Sequence, residues 1–142
     1  MGSFVYAGAA AWQAGKPAHG AYRLDVANGQ WARLEAGLPE GVEVRSIAVQ
    51  RGAPDTVYIG TQEGPYRSTD GGATWQHLPL PGKERIVWSI LIHPRDARTL
   101  YVGTLGTTIY RSRDRGESWR ELKVPVPAGL VRMSFPTRVV RL

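Results

Sequence analysis

Apolar and polar positions along the chain fall into short runs divided by turn residues, and no segment keeps a helical period. SIAV (46–49) and SILI (89–92) each hold three apolar residues in four, which predicts strands buried on both faces. VYIG (57–60) and LYVG (100–103) are rich in β-branched and aromatic residues and predict a second kind of strand. PYRS (65–68) and IYRS (109–112) make a third kind. WQHL (75–78) and WREL (119–122), which alternate large apolar with polar residues, make a fourth. Gly, Pro, Asp and Asn lie between them. In chain order the four kinds are strands A, B, C and D of a unit.

The unit repeats. Trp31, Trp75 and Trp119 are spaced at 44 residues, as are Tyr22, Tyr66 and Tyr110, Arg23, Arg67 and Arg111, and Leu34, Leu78 and Leu122. Upstream, FVYAG (4–8), TVYIGT (56–61) and TLYVGT (99–104) correspond. Tyr6 and Tyr22 are separated by sixteen residues where the later copies have eight and nine, so the first copy carries an insertion, AAAWQAGKPAHG (9–20). A four-stranded unit of this length predicts a blade of a β-propeller, which cannot bury both faces alone and stacks on its neighbours. The expected fold is therefore all-β, a partial propeller ring within residues 1–142. Blade 1 spans about 3–36, blade 2 about 44–80 and blade 3 about 87–123. Residues 124–142 form a connection and a partial strand A, RVVRL (138–142), with Leu142 aligned to Ile47 and Ile90. The tryptophans at the 44-residue interval are expected in the core, in like surroundings.

The most closely repeated stretches are YRSTDGGATW (66–75) and YRSRDRGESW (110–119). Ser68, Asp70, Gly72 and Trp75 recur as Ser112, Asp114, Gly116 and Trp119. Glycine supplies the unusual φ of a tight turn, Ser and Asp accept nearby backbone N–H groups, and Trp packs beside the loop. The pattern S-x-D-x-G-x-x-W closely resembles the Asp-box, or BNR repeat, of sialidase-like propellers, and the resemblance covers roughly residues 4–123. That family includes sialidases, xyloglucan-degrading glycosidases, the sortilin ectodomain and photosystem assembly-factor propellers. The first copy departs from it: Leu24, Val26 and Asn28 replace Ser, Asp and Gly, and Trp31 alone is kept. The resemblance implies that the eight motif residues are a folding element on the face opposite the ligand site. One carboxylate per loop is too few for calcium.

In such a blade the B–C and D–A connections share the ligand face. They hold the candidates Trp12, Glu43, Arg45, Glu63, Trp88 and Arg132, with His19, Glu84 and Arg85 nearby in sequence. Arg45 precedes strand A close to the axis. Trp12 and Trp88 fall off the 44-residue register and suit a sugar-stacking platform. A sialidase-like enzyme needs three arginines, a Tyr–Glu nucleophile and an acid, and no such set can be placed. A glycosidase needs two facing carboxyls, and Glu43, Glu63 and Glu84 show no pairing. No catalytic residue is assigned.

Composition narrows this further. The 142 residues fit one domain, and the absence of cysteine excludes disulfides, thiolate metal sites and a Cys nucleophile. His19, His77 and His93 lack ligand spacing, so no metal is expected, and no Gly-rich loop precedes a helix, so no nucleotide cofactor is. No apolar run approaches the roughly 20 residues that span a bilayer, and the N-terminus lacks a basic n-region. A cytoplasmic location without membrane insertion is the expectation. The net charge is +6, and 15 of the 18 basic residues are Arg. They are spread along the chain, which reads as surface charge rather than a nucleic-acid footprint.

Three blades do not close a ring and leave two sheet edges and two blade faces open. The expectation is a homo-oligomer. A six-bladed dimer is favoured, in which the terminal strand A of one copy completes blade 1 of the other. The functional expectation is a non-catalytic binding or scaffolding module derived from a larger bacterial protein, with a glycan or protein ligand. A glycoside hydrolase or part of one is the alternative, and an Arg-mediated polyanion binder ranks third.

Overall fold

The computed structural model describes residues 2–10, 19–106 and 108–125. These form eleven strands and no helix, in three antiparallel sheets. The first sheet is β1 (Phe4–Ala9), β2 (Gly20–Asp25) and β3 (Gln30–Leu34), in that order. The second is β4 (Val44–Val49), β5 (Val57–Thr61), β6 (Gly64–Ser68) and β7 (Gln76–His77). The third is β8 (Val87–Ile92), β9 (Leu100–Thr104), β10 (Thr108–Ser112) and β11 (Arg120–Lys123). Every sheet is a meander of neighbouring strands, as in a propeller blade. The sheets are called blades 1, 2 and 3. The RVVRL segment, Trp12 and Arg132 lie outside the described residues.

The conserved letters of the repeat each have a packing reason. Strand B is the middle of the sandwich: all five residues of β5 are buried, with Val57, Tyr58 and Ile59 among the most enclosed side chains. Its glycine admits the next blade. A Cβ on Gly60 would collide with Val87 of blade 3, and one on Gly8 with Val44 of blade 2. The threonine after that glycine closes the B–C turn: Thr61 Oγ1 donates to the Gly64 carbonyl at 2.8 Å, and Thr104 Oγ1 to that of Thr108 at 3.2 Å. One apolar cluster joins Leu34 of blade 1 to Ile59, Tyr66 and Trp75 of blade 2. A second joins Tyr58 and Leu78 of blade 2 to Val87, Leu100, Val102 and Tyr110 of blade 3. The core therefore lies between blades.

Three expectations are corrected. Strand A is not buried on both faces. β4 and β8 are edge strands of their sheets, mostly half-buried, and Val49 is exposed. Strand D is shorter than read, because Trp75 and Trp119 precede β7 and β11 instead of starting them. The three tryptophans are not in like surroundings: Trp75 is 6% exposed and Trp31 is 55% exposed. Each packs on the blade before it, and no sheet among the described residues precedes blade 1. Trp75 meets Leu34 and donates its backbone N–H to the Ala36 carbonyl at 2.9 Å, and Trp119 packs on the cluster of Leu78.

Candidate functional site

Strand A enters each of blades 2 and 3 through a bulge. The pairing of β4 with β5 shifts between Val44 and Ser46, and that of β8 with β9 between Val87 and Ser89. The extra residues are Arg45 and Trp88. A bulge re-aims the side chain it carries and is common beside functional sites. Here both side chains turn toward the junction of the two blades, and the Arg45 guanidinium carbon lies 4.6 Å from the centre of the Trp88 ring. This is cation–π geometry, most favourable when desolvated. The Arg45 side chain is 13% exposed.

Glu43 pairs with Arg45 Nη2 from two residues upstream. Gln62, in the B–C turn, fixes the approach of this segment. Its Oε1 accepts the Glu43 N–H at 2.7 Å, and its Nε2 donates to the Gly41 carbonyl at 3.0 Å. The remaining Arg45 nitrogens, Nε and Nη1, are buried without a hydrogen-bond partner among the described residues, as are the hydroxyls of Ser46 and Ser89 at matching places on β4 and β8. The site is thus a held guanidinium on an aromatic face, with unsatisfied donors around it and one carboxylate already neutralised. It offers recognition of acceptor oxygens. Among the described residues it holds no nucleophile–base pair.

The other sequence candidates do not join it by any observed contact. The Glu63 side chain is exposed. Its backbone N–H bonds Thr61 Oγ1 at 3.0 Å and its carbonyl lies 2.8 Å from His77 Nε2. Trp12 and Arg132 fall among the residues not described. Gln62 was missed. Its only signal was the divergence of the B–C turns, where blade 3 has Leu105 in its place. On the same connections a cavity of 390 Å³ is lined by Arg33, Leu34 and Glu35 of blade 1 and by Leu38, Glu40 and Val42 of the segment that follows it. Among the described residues no group of three or more His, Asp or Glu could hold a metal.

The Ser-Asp-Gly hairpins are occupied by their own backbone. Ser68 Oγ accepts the N–H of Gly72 at 2.8 Å and donates to Asp70 Oδ1 at 2.7 Å. Asp70 also accepts the N–H and the hydroxyl of Thr74. The Thr74 hydroxyl, the Thr74 N–H and the Ser68 hydroxyl hold the Asp70 carboxyl down to about 2. Ser112, Asp114, Gly116 and Ser118 repeat these bonds, and Asp114 is lowered by Ser118 in the same way. Burial raises Tyr58, Tyr66 and Tyr110. None is poised for proton transfer.

Residues 64–138, more than half of the chain, match the Sortilin-Vps10 family model, described as sortilin, neurotensin receptor 3. The vacuolar protein sorting/targeting protein 10 of Ajellomyces capsulatus is 37% identical over 71 residues, which are 50% of this chain and 5% of that protein. A xyloglucanase of a Paenibacillus species is 33% identical over 131 residues, covering 72% of this chain and 12% of the relative. The crystal structure of an ancestral GH74 enzyme superposes with a TM-score of 0.62 at 21% identity, over 72% of this chain and 15% of that one. The chain therefore spans a small part of the proteins it resembles.

Proposed function

The chain belongs to the sortilin–Vps10 family of propeller proteins, and from that premise we propose that it is a non-catalytic binding module. Its ligand, a glycan or a peptide segment rich in acceptor oxygens, is gripped where blades 2 and 3 meet. The observation that carries this reading is the stacking of Arg45 on Trp88 at two matched bulges, with Arg45 Nε and Nη1 left without a protein acceptor among the described residues. Buried donors without a partner cost about 1–3 kcal/mol each, and a bound oxygen relieves that cost.

A glycoside hydrolase, whole or in part, is the second reading, favoured by the xyloglucanase relative. Against it, Glu43 is tied to Arg45, and no second carboxyl among the described residues is paired with it.

Calorimetric titration of the 142-residue protein with xyloglucan oligosaccharides, beside an assay for released reducing ends, separates the two. Binding without release, weakened tenfold or more by Arg45→Ala, is expected. Release of reducing ends that Glu43→Gln or Glu63→Gln abolishes would replace the binding module with the enzyme.

A further inference from the structure

The two bulges share a register but not a chemistry. Val44 pairs with Thr61 at the first and Val87 with Thr104 at the second, so Glu43 of blade 2 and Ile86 of blade 3 hold the same place. The B–C turns differ to match. In blade 3, Leu105 stands where blade 2 has Gln62, and the bond to the incoming chain is a backbone one: the Leu105 N–H donates to the Ile86 carbonyl at 3.0 Å. In blade 2 a side chain makes the contact. Gln62 Oε1 accepts the Glu43 N–H at 2.7 Å, and Nε2 donates to the Gly41 carbonyl at 3.0 Å. The carboxamide bonds as acceptor and donor at once, which a leucine or an ionised glutamate cannot do.

This clamp fixes the backbone on both sides of Val42, and from it the Glu43 side chain reaches Arg45 Nη2. Among the described residues Glu43 is the one carboxylate within ion-pair reach of Arg45. The charge of the guanidinium is thus cancelled before any ligand arrives. Its Nε and Nη1 still lack an acceptor among the described residues. An uncharged ligand oxygen gains these donors and disturbs nothing. A ligand carboxylate gains them too, but it must leave water for a site of zero net charge. It must also come to rest beside the Glu43 carboxylate. Its desolvation is then not offset, and the two like charges repel.

We propose that Glu43 is the specificity-determining residue of this site: it admits uncharged acceptor oxygens and turns away carboxylates. Gln62 is the positioning residue that keeps Glu43 on Arg45. Selectivity then comes from a repulsive element built into the site as much as from the donors that attract. The inference rests on the reading of Arg45 and Trp88 as a binding site, and it narrows the ligand there to one that presents no negative charge. It also explains why an acid follows the blade 1 connection where blade 3 has Ile86. The blade 3 bulge carries Trp88, which has no charge to cancel.

The test follows the Arg45 Nε–H resonance of the 142-residue protein by NMR, assigned through its loss in Arg45→Lys. Acetamide or acetate, alike in shape and unlike in charge, is added at constant ionic strength. In the unaltered protein acetamide is expected to move the resonance and acetate to leave it in place. Glu43→Gln leaves the guanidinium charge uncancelled. Acetate is then expected to bind about tenfold or more tightly than it binds the unaltered protein, with acetamide little changed. Gln62→Leu, which copies blade 3, keeps the acid but frees it, and is expected to shift the preference part of the way toward acetate. Acetate that moves the resonance of the unaltered protein as far as acetamide does overturns the proposal, as does a preference that Glu43→Gln leaves as it was. A preference unchanged in Gln62→Leu overturns the role of Gln62. A resonance that neither probe moves, in the unaltered protein or in Glu43→Gln, overturns the binding site itself and this inference with it.

Discussion

Ser68 and Asp70 share a hydrogen bond of 2.7 Å inside a turn where they also accept the N–H groups of Gly72 and Thr74, and Ser112 and Asp114 share one of the same length. Both serines are 1% exposed. Ser68→Ala removes the acceptor of the buried Gly72 N–H and leaves it unpaired, a loss of about 1–3 kcal/mol. Ser112→Ala should cost the same. Chemical denaturation of the two variants checks both, and a loss confined to one of them would mean that the hairpins are not equivalent supports.

The same turns predict an acid limit. Hydrogen bonds from Thr74 and Ser68 hold Asp70 at about 2, below the ordinary 3.8, and Asp114 is lowered too. A carboxyl depressed by folding binds fewer protons in the folded state. Its stabilising effect is therefore complete above its unfolded value and lost as the pH falls through the folded one. Stability should fall between about pH 4 and about pH 2. Asp70→Asn should flatten that fall while lowering the stability at pH 7. Urea midpoints measured across this range test the direction.

Gly72→Ala must pay twice. An L-residue at φ 90° is strained, by about 1–2 kcal/mol, and the new methyl meets Leu34, where overpacking adds about 1–3 kcal/mol. Gly52→Ala, at φ 79° with open space around it, bears only the first of these. A thermal shift for Gly72→Ala no larger than for Gly52→Ala would show that Leu34 yields easily and that the joint is loose.

Tryptophans at one repeat position should differ sharply in worth. Trp75→Ala empties a site sealed between blades and should cost about 3–5 kcal/mol, whereas Trp31→Ala, on an exposed face, should cost under about 1 kcal/mol. Equal losses would reveal that Trp31 is covered in solution.

The all-β fold, the three blades and the hairpin chemistry were legible in the sequence, because each depends on residues close together in the chain. Ser68, Asp70 and Gly72 bond within a single turn, and the β-branched and aromatic residues of Val57 to Thr61 lie within a single strand. A 44-residue period then multiplied each local signal. Gln62, by contrast, reaches back to Gly41 and Glu43 across a sheet, and nothing in its neighbourhood marks that reach. Arg23 and Arg67 were visible as a repeat but not as donors across the blade joints, since the acceptor of each lies 48 residues on, in the next blade.

What the sequence determined by itself was the unit: its strands, its turns and the number of times it is written. Only the tertiary structure decided which copies of a repeated residue are alike. Trp31 and Trp75 have the same letter and the same register, yet one is exposed and the other enclosed. Arg67 is bonded to the next blade, where the Arg111 side chain has no hydrogen-bond partner among the described residues. Burial and hydrogen bonding at these positions come from the neighbouring blade, and a residue's surroundings across a blade joint are a property of two sheets that no single stretch of chain encodes.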